Sequence, residues 1–235
     1  MKNYRKIAMI TGILFIIGTA AGALSDAASQ PLLQGADWLQ AIAAHENQWM
    51  LGTLLILVMG LPLAMVPAVL FPILKQENEV LAIGAILFRG VLEAICYLLI
   101  ALSMLLLLST GQAASAATPA GMDAYRQTGA LLLAAVDWLG LLTAIVFSIG
   151  SVMLNLLLYR TRIIPRWLSG WGLISSVLYF AAPMVSMFSA GHPAMSFDSP
   201  VGFLFSPLAL EEMVFAVWGI VKGFNAIEGK AAQGA

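Results

Sequence analysis

Six long apolar runs constrain this chain more than any other feature of its sequence. About 18 apolar residues in a helix span the hydrocarbon layer of a bilayer, which is near 30 Å thick. The chain is 61% hydrophobic and 10% charged, a balance that excludes an ordinary soluble domain. The sequence therefore predicts an all-α polytopic membrane protein that forms a single domain over residues 1–235. Its six transmembrane helices are predicted at about 7–24, 49–74, 80–108, 129–159, 167–189 and 201–221.

The same sequence excludes several other classes of protein. Strands of outer-membrane barrels alternate apolar and polar residues over about ten positions, and these runs do not alternate. A nucleic-acid-binding protein needs a basic face, whereas the net charge here is −1. The sequence contains no Walker, dinucleotide-binding or G-x-S-x-G motif and no metal-ligand spacing such as HExxH. We therefore predict the lipid bilayer as a partner, with no nucleic-acid partner, cofactor or metal.

The basic residues predict which side of the membrane each loop faces. Arg126 alone falls on one side of the six-span map, and nine lysines and arginines fall on the other. Cytoplasmic loops carry such an excess of basic residues, so both termini are predicted to be cytoplasmic. The nine are Lys2, Arg5, Lys6, Lys75, Arg160, Arg162, Arg166, Lys222 and Lys230.

The first apolar run has an alternative interpretation as a cleaved signal peptide. Basic residues precede it in MKNYRK, and the small residues of AAGALSDAAS follow it. The run is long for a signal peptide, however, and Gly18 and Gly22 form a small-xxx-small pair suited to helix packing. We favour a retained first span.

Four carboxylates and one arginine lie inside the spans. Each charge at membrane depth costs about 2.5–3.5 kcal/mol on insertion scales, so none should face lipid. Arg89 and Glu93 are four residues apart on one helix face, where an ion pair forms easily. Glu212 falls at a similar depth, while its neighbour Glu211 points about 100° away. The sequence predicts an intramembrane polar cluster of Arg89, Glu93, Glu211 and Glu212, which is either structural or a substrate or proton site.

A second polar stripe follows one face of the fourth span. Its members are spaced by three or four residues, which places them on the side of the helix that should look into the bundle. The polar members are Asp137, Ser148, Ser151 and Asn155, and the small residues Gly140 and Ala144 lie between them. We expect Asp137, in the outer half of its span, to belong to a separate site.

The loop after the fourth span is rich in basic residues. Within YRTRIIPRWLSGWG, arginines can set topology or bind anionic lipid headgroups, and tryptophan anchors a helix at the interface. The residues concerned are Arg160, Arg162, Arg166 and Trp167.

Three segments of the chain, taken together, carry a family resemblance: LFRGVLEA, LLYRTRIIPRWLSGWGLI and PLALEEMVFAVWGIVKGFN. They resemble a family of bacterial membrane proteins known as domain of unknown function 4386. The resemblance implies a six-span integral protein of the bacterial inner membrane, with no established activity. It matches Arg89, Glu93 and Glu212 to the family's intramembrane charges, and Glu211 and Asn155 depart from its pattern. The family's basic loop is matched by Arg160, Pro165, Arg166 and Trp167.

Three functions fit these residues. The first is a non-enzymatic membrane protein, structural or regulatory, whose Arg/Glu cluster bridges helices. The alternative is a small-solute or proton-coupled transporter that uses this cluster as its site, which requires a water-accessible cavity reaching Glu93 or Glu212. A membrane-embedded hydrolase is less favoured, because Ser148 and Ser151 are the only nearby hydroxyls and no histidine lies in a span.

Overall fold

The structure is a computed structural model that describes residues 2–118, 121–189 and 199–227. No β-strand occurs among these residues. Six helical stretches within them are long and apolar enough to cross a membrane, which confirms the predicted all-α membrane class and the six spans. Most extend beyond the predicted bounds: Asn3–Leu33, Glu46–Leu74, Glu79–Ser115, Met122–Thr161, Arg166–Phe188 and Gly202–Val221.

The described part of the chain has eight α-helices, seven in the six spans and one, α2, in the connection between the first two spans. The third span is composite, because a π-helical segment, Ile86–Leu92, joins α4 to α5. A short 3-10 turn, Gln30–Leu33, follows α1. The α-helices are α1 (Lys2–Ser29), α2 (Trp38–Ala44), α3 (Glu46–Leu74), α4 (Glu79–Ala85), α5 (Glu93–Ser115), α6 (Met122–Thr161), α7 (Arg166–Phe188) and α8 (Gly202–Val221).

Local signals in the sequence explain several helix ends. The Asn78 side chain accepts a hydrogen bond from the Leu81 amide at 2.9 Å and so caps the start of α4. Arg162 adopts a left-handed conformation (φ 55°) directly after α6, a conformation that commonly ends helices. Pro165 then precedes α7, where its missing amide hydrogen costs nothing.

The six spans form a closed ring in chain order. Each span packs against the next one along the chain, and α8 packs against α1 to complete the circle. Tyr4 and Ile7 lie in the same cluster as Trp218 and Phe224, so both ends of the described chain are at one end of the ring. We name this the termini end and its opposite the far end. The third and sixth spans face each other across the ring, as do the first and fourth.

Glycines allow α1 to approach its two neighbours closely. A Cβ atom on Gly12 would lie 2.5 Å from the Ala216 carbonyl oxygen of α8. A Cβ atom on Gly18 would lie 2.6 Å from Cγ of Leu63 in α3, and Gly22 meets Met59 of the same helix. The Gly18 and Gly22 pair therefore packs α1 against α3, as its spacing predicts.

Apolar side chains fill the termini end of the ring, pack α2, α3, α5 and α6 together at the far end, and cover the outside of the ring. At the termini end, residues such as Leu70, Leu157 and Leu168 form a fully buried core. At the far end, Trp49 is buried beside α5 and its indole Nε1 donates to the Met104 carbonyl at 2.7 Å. Large apolar side chains are exposed along the outer faces of all six spans, as lipid contact requires.

Candidate functional site

A π-helical segment brings Arg89 into the centre of the ring. Such segments are rare and usually short, and they are frequent at functional sites. Gly150 of α6 faces this segment, and a Cβ atom there would lie 2.7 Å from both the Cβ and the amide nitrogen of Arg89. The glycine therefore allows α6 to lie against the arginine backbone. The Arg89 side chain is 1% exposed.

Arg89 pairs with Glu212 across the ring. Its Nη2 donates to Oε1 of Glu212, so the bond joins the third span to the sixth. Within the described residues, Arg89 forms no ion pair with Glu93. The expected pair within one helix is thus replaced by a pair between opposite helices, because the arginine side chain reaches across the interior rather than back along its own span.

The guanidinium also contacts two aromatic rings and a hydroxyl, while its buried Nε has no hydrogen-bond partner among the described residues. The guanidinium carbon lies 5.3 Å from the ring centroid of Phe15 in α1 and 4.5 Å from that of Phe147 in α6. Its Nη1 donates to the Ser151 hydroxyl at 3.3 Å. Electron-rich ring faces attract a cation, and more strongly where water is excluded. Side chains from three other spans therefore hold this one buried charge.

Ser151 extends this network to α7. Its hydroxyl is 2.9 Å from the Ser176 hydroxyl, which also donates to the Gly172 carbonyl at 2.7 Å. The Asn155 amide nitrogen donates to the Ser151 carbonyl at 3.1 Å and lies within 3.4 Å of both hydroxyls. The two polar groups that the sequence separates, the Arg/Glu cluster and the α6 stripe, therefore meet at Ser151.

A chamber of about 530 Å³ occupies the far half of the ring, between the spans. Side chains from all six spans line it, from exposed Asp26 near the far end of α1 down to Glu93 and Glu212. Its volume falls within the range of small-molecule sites, roughly 300–1,000 Å³. The Arg89–Glu212 pair and the apolar core of the termini end lie beneath it.

Glu93 is the unsatisfied group of this chamber. It is 0% exposed and lines the chamber wall, yet neither carboxyl oxygen has a hydrogen-bond partner among the described residues. Tyr97 lies one turn further along the same helix and also lines the chamber. A buried carboxyl without a partner is costly, so its retention at this position points to a role other than packing.

Comparison with known proteins places the chain in a family. Residues 10–223, which include most of α1 and all of the later helices, match the family model described as Domain of unknown function (DUF4386). The chain belongs to this family. No curated protein and no solved structure matches it significantly.

The other residues that the sequence predicts for the site lie outside the chamber. Glu211 is 2% exposed and its Oε1 has no partner among the described residues, but it does not line the chamber. Ser148 is buried and donates to the Ala144 carbonyl of its own helix at 2.6 Å. Asp137, placed by its spacing at the start of the inward stripe, is exposed and has no part in the network.

The predicted basic loop lies at the termini end. Arg160, Arg162 and Arg166 line an open cavity of about 560 Å³ there, together with Glu77 and residues after α8. The Arg166 guanidinium carbon lies 5.3 Å from the Tyr159 ring centroid. Trp167 is 56% exposed, and its ring is 6.2 Å from that of Trp218. No group of three described His, Cys, Asp or Glu side chains is placed to hold a metal ion.

Several residues of the site were not predicted from the sequence, among them two phenylalanines beside Arg89 and the chamber-lining Tyr179. Tyr97 follows Arg89 and Glu93 at intervals of four, so the shared helix face gives a signal for it. Ser176 and Tyr179 lie with Gly172 on one face of α7 at intervals of four and three, a weaker signal. Phe15 and Phe147 have no sequence signal, because one phenylalanine in an apolar span resembles any other.

Proposed function

We propose that this protein is a membrane carrier for a small solute, with the chamber as its binding site. The observation that carries the proposal is the reach of the chamber, which extends from exposed Asp26 to the buried carboxyl of Glu93 and to Glu212. Intramembrane acids in a cavity are typical of substrate and ion pathways. The proton-coupled form of this function would use the same carboxyl groups.

The closed end of the chamber supports a gated pathway. Beneath it, the Arg89–Glu212 pair and the Phe15 and Phe147 rings fill the interior of the ring. A carrier must open this end to release its solute, and a bound solute shifts that equilibrium only if it interacts differently with the two states. Glu212 both lines the chamber and pairs with Arg89, so a solute that contacts Glu212 competes directly with the pair.

A structural role without a solute is the second candidate. The observation that favours it is the Arg89 network, which joins the third span to the fourth and sixth directly and to the fifth through Ser151 and Ser176. In this alternative the cluster fixes helix register and the chamber is a packing defect. A hydrolase gains little support, because the Ser148 hydroxyl bonds its own helix and the Ser151 hydroxyl bonds Arg89 and Ser176.

We further propose that the protein lies in the inner membrane of a bacterium with the termini end in the cytoplasm. The basic residues support this orientation, because Arg160, Arg162 and Arg166 gather at the termini end while Arg126 lies at the far end beside Asp37. The chamber would then open to the outside of the cell.

Thiol modification tests whether the chamber admits water-soluble molecules. In a Cys96→Ala background, we compare Thr143→Cys, which faces the chamber, with Leu142→Cys, which is 48% exposed on the outside of the same helix. Thiol reagents require the thiolate, which forms in water and not in lipid. Hydroxyethyl methanethiosulfonate should modify Thr143→Cys in reconstituted vesicles and leave Leu142→Cys largely unreacted. Equal, slow modification of both would overturn the carrier and leave the structural role.

A further inference from the structure

The charges around the chamber are unbalanced. The lining residues include three acids, Asp26, Glu93 and Glu212, and no described Lys, Arg or His is among them. Arg89, just beneath, already has Glu212 and Ser151 on its two terminal nitrogens and aromatic rings within 5.3 Å of its guanidinium carbon. Glu93 is therefore left without a cation of its own.

Part of the chamber wall is aromatic. Phe147, Tyr179 and Phe205 form a continuous row, with ring centroids 4.8 and 5.6 Å apart. Tyr97 of α5 adds a fourth ring to the lining. Aromatic faces carry partial negative charge, and several of them around one carboxylate are typical of sites for organic ammonium ions.

The remaining lining is largely apolar, with Ile56, Met59, Leu63, Ile100 and Leu208 around the same space and the hydroxyls of Thr19 and Thr143 among them. A metal ion is a poor match, because hard cations need six or more oxygen ligands and no described cluster of acidic, His or Cys side chains supplies them. A cationic head on an apolar body satisfies both the carboxyl and the walls. An anion would meet only repulsion along the path from Asp26.

We propose that the chamber binds a monovalent organic cation, with Glu93 as its counter-ion and the Phe147–Tyr179–Phe205 row around its apolar body. This proposal rests on the proposed function and names the class of its solute. The cation supplies a counter-charge to Glu93, which is buried and forms no ion pair among the described residues. Arg89 stays with Glu212 and serves as the floor of the site.

The probes are two soluble ions of similar size and opposite charge, phenyltrimethylammonium and benzenesulfonate. We measure how each slows the modification of Thr143→Cys by hydroxyethyl methanethiosulfonate in the Cys96→Ala background. Phenyltrimethylammonium should slow the reaction about threefold or more at millimolar concentration, and benzenesulfonate should not. Equal protection by the two ions, or none by either, would overturn the proposal.

Glu93→Gln, added to the same protein, tests the named counter-ion. It keeps the shape of the side chain and removes the charge, so protection by the ammonium ion should be lost. Glu211→Gln is the matched control, because this buried acid does not line the chamber and its change should leave protection intact. Full protection in Glu93→Gln overturns the assignment. If Glu93→Gln is not monodisperse, the comparison of the two ions still decides the charge preference.

The results separate this proposal from the carrier function. If Thr143→Cys reacts faster than Leu142→Cys but neither ion protects it selectively, the chamber is open to water and only the cation proposal fails. If Thr143→Cys does not react, both fail together.

Discussion

Arg89 and Glu212 are 123 positions apart in the chain and pair across the width of the helix ring. The pair connects two spans that face each other, so it resists both separation and rotation of opposite sides of the bundle. Breaking a buried pair by removing one partner costs about 3–5 kcal/mol, since the other charge is left uncompensated. Removal of either partner is therefore expected to destabilise the fold, and the pair is also the floor of the chamber.

Glu212→Gln should lower the free energy of unfolding by about 3 kcal/mol at neutral pH. The substitution keeps the shape of the side chain but leaves the buried Arg89 guanidinium without a counter-charge. Thermal or denaturant unfolding in a mild detergent measures the loss. Glu211→Gln is the control, because this neighbouring buried acid forms no ion pair among the described residues. Equal losses in the two variants would show that the pair contributes nothing specific.

Ser151→Ala should destabilise the protein by about 1–3 kcal/mol, whereas Ser148→Ala should have little effect. Both hydroxyls are fully buried on α6. Ser151 accepts from Arg89 and bonds Ser176, so its loss leaves partners unsatisfied. Ser148 only donates to the Ala144 carbonyl, which keeps its helical bond. Unfolding midpoints of the two variants give the comparison, and a larger loss in Ser148→Ala would contradict the network.

Gly150→Ala should destabilise the protein by about 1–3 kcal/mol, because the new methyl group overlaps the backbone of the Arg89 segment. Gly140→Ala on the same helix is the matched control. No atom lies within 4 Å of a Cβ at Gly140, and alanine favours a helix over glycine by about 1 kcal/mol. Gly140→Ala should therefore be neutral or stabilising. If the two substitutions have the same effect, α6 and the π segment are not in the close contact described here.

Cysteine labelling in intact cells checks the proposed orientation. In the Cys96→Ala background, Thr118→Cys at the far end should react with a membrane-impermeant maleimide. Glu77→Cys at the termini end should react only after the cells are opened. Both parent residues are exposed, so burial does not explain a difference. The reverse pattern would place the termini end outside the cell and contradict the distribution of basic residues.

Span number, helical class and the inward position of Ser148, Ser151 and Asn155 follow from the sequence. They follow because apolar length and helical periodicity depend only on local positions in the chain. The partner of Arg89 does not follow in this way. Spacing favours Glu93, which is one turn away on the same helix. In the structure the partner is Glu212, because the ring places the third and sixth spans opposite each other although they are distant in sequence.

The chamber and the π segment also required the structure. A cavity depends on the sizes of side chains from all six spans at one depth, which no single periodic pattern encodes. At Asp137 the sequence pattern predicts an inward-facing side chain, and the structure has an exposed one. Its spacing extends the inward stripe, but α6 has 40 residues, about 60 Å of helix, whereas its neighbour α7 has 23, so α6 continues past the last residue of α7 toward the far end. A residue on the inward stripe can therefore be exposed there.

The closure of the ring between α8 and α1 has a consequence for biosynthesis. Because Glu212 is made 123 residues after Arg89, a ribosome adding about 5–20 residues per second leaves the arginine without it for roughly 6 to 25 seconds. During that interval Glu93, one turn away, is its nearest acidic neighbour in the chain. The carboxyl group that faces the chamber in the finished protein would then be the nearest counter-charge to the arginine while the third span passes through the translocon.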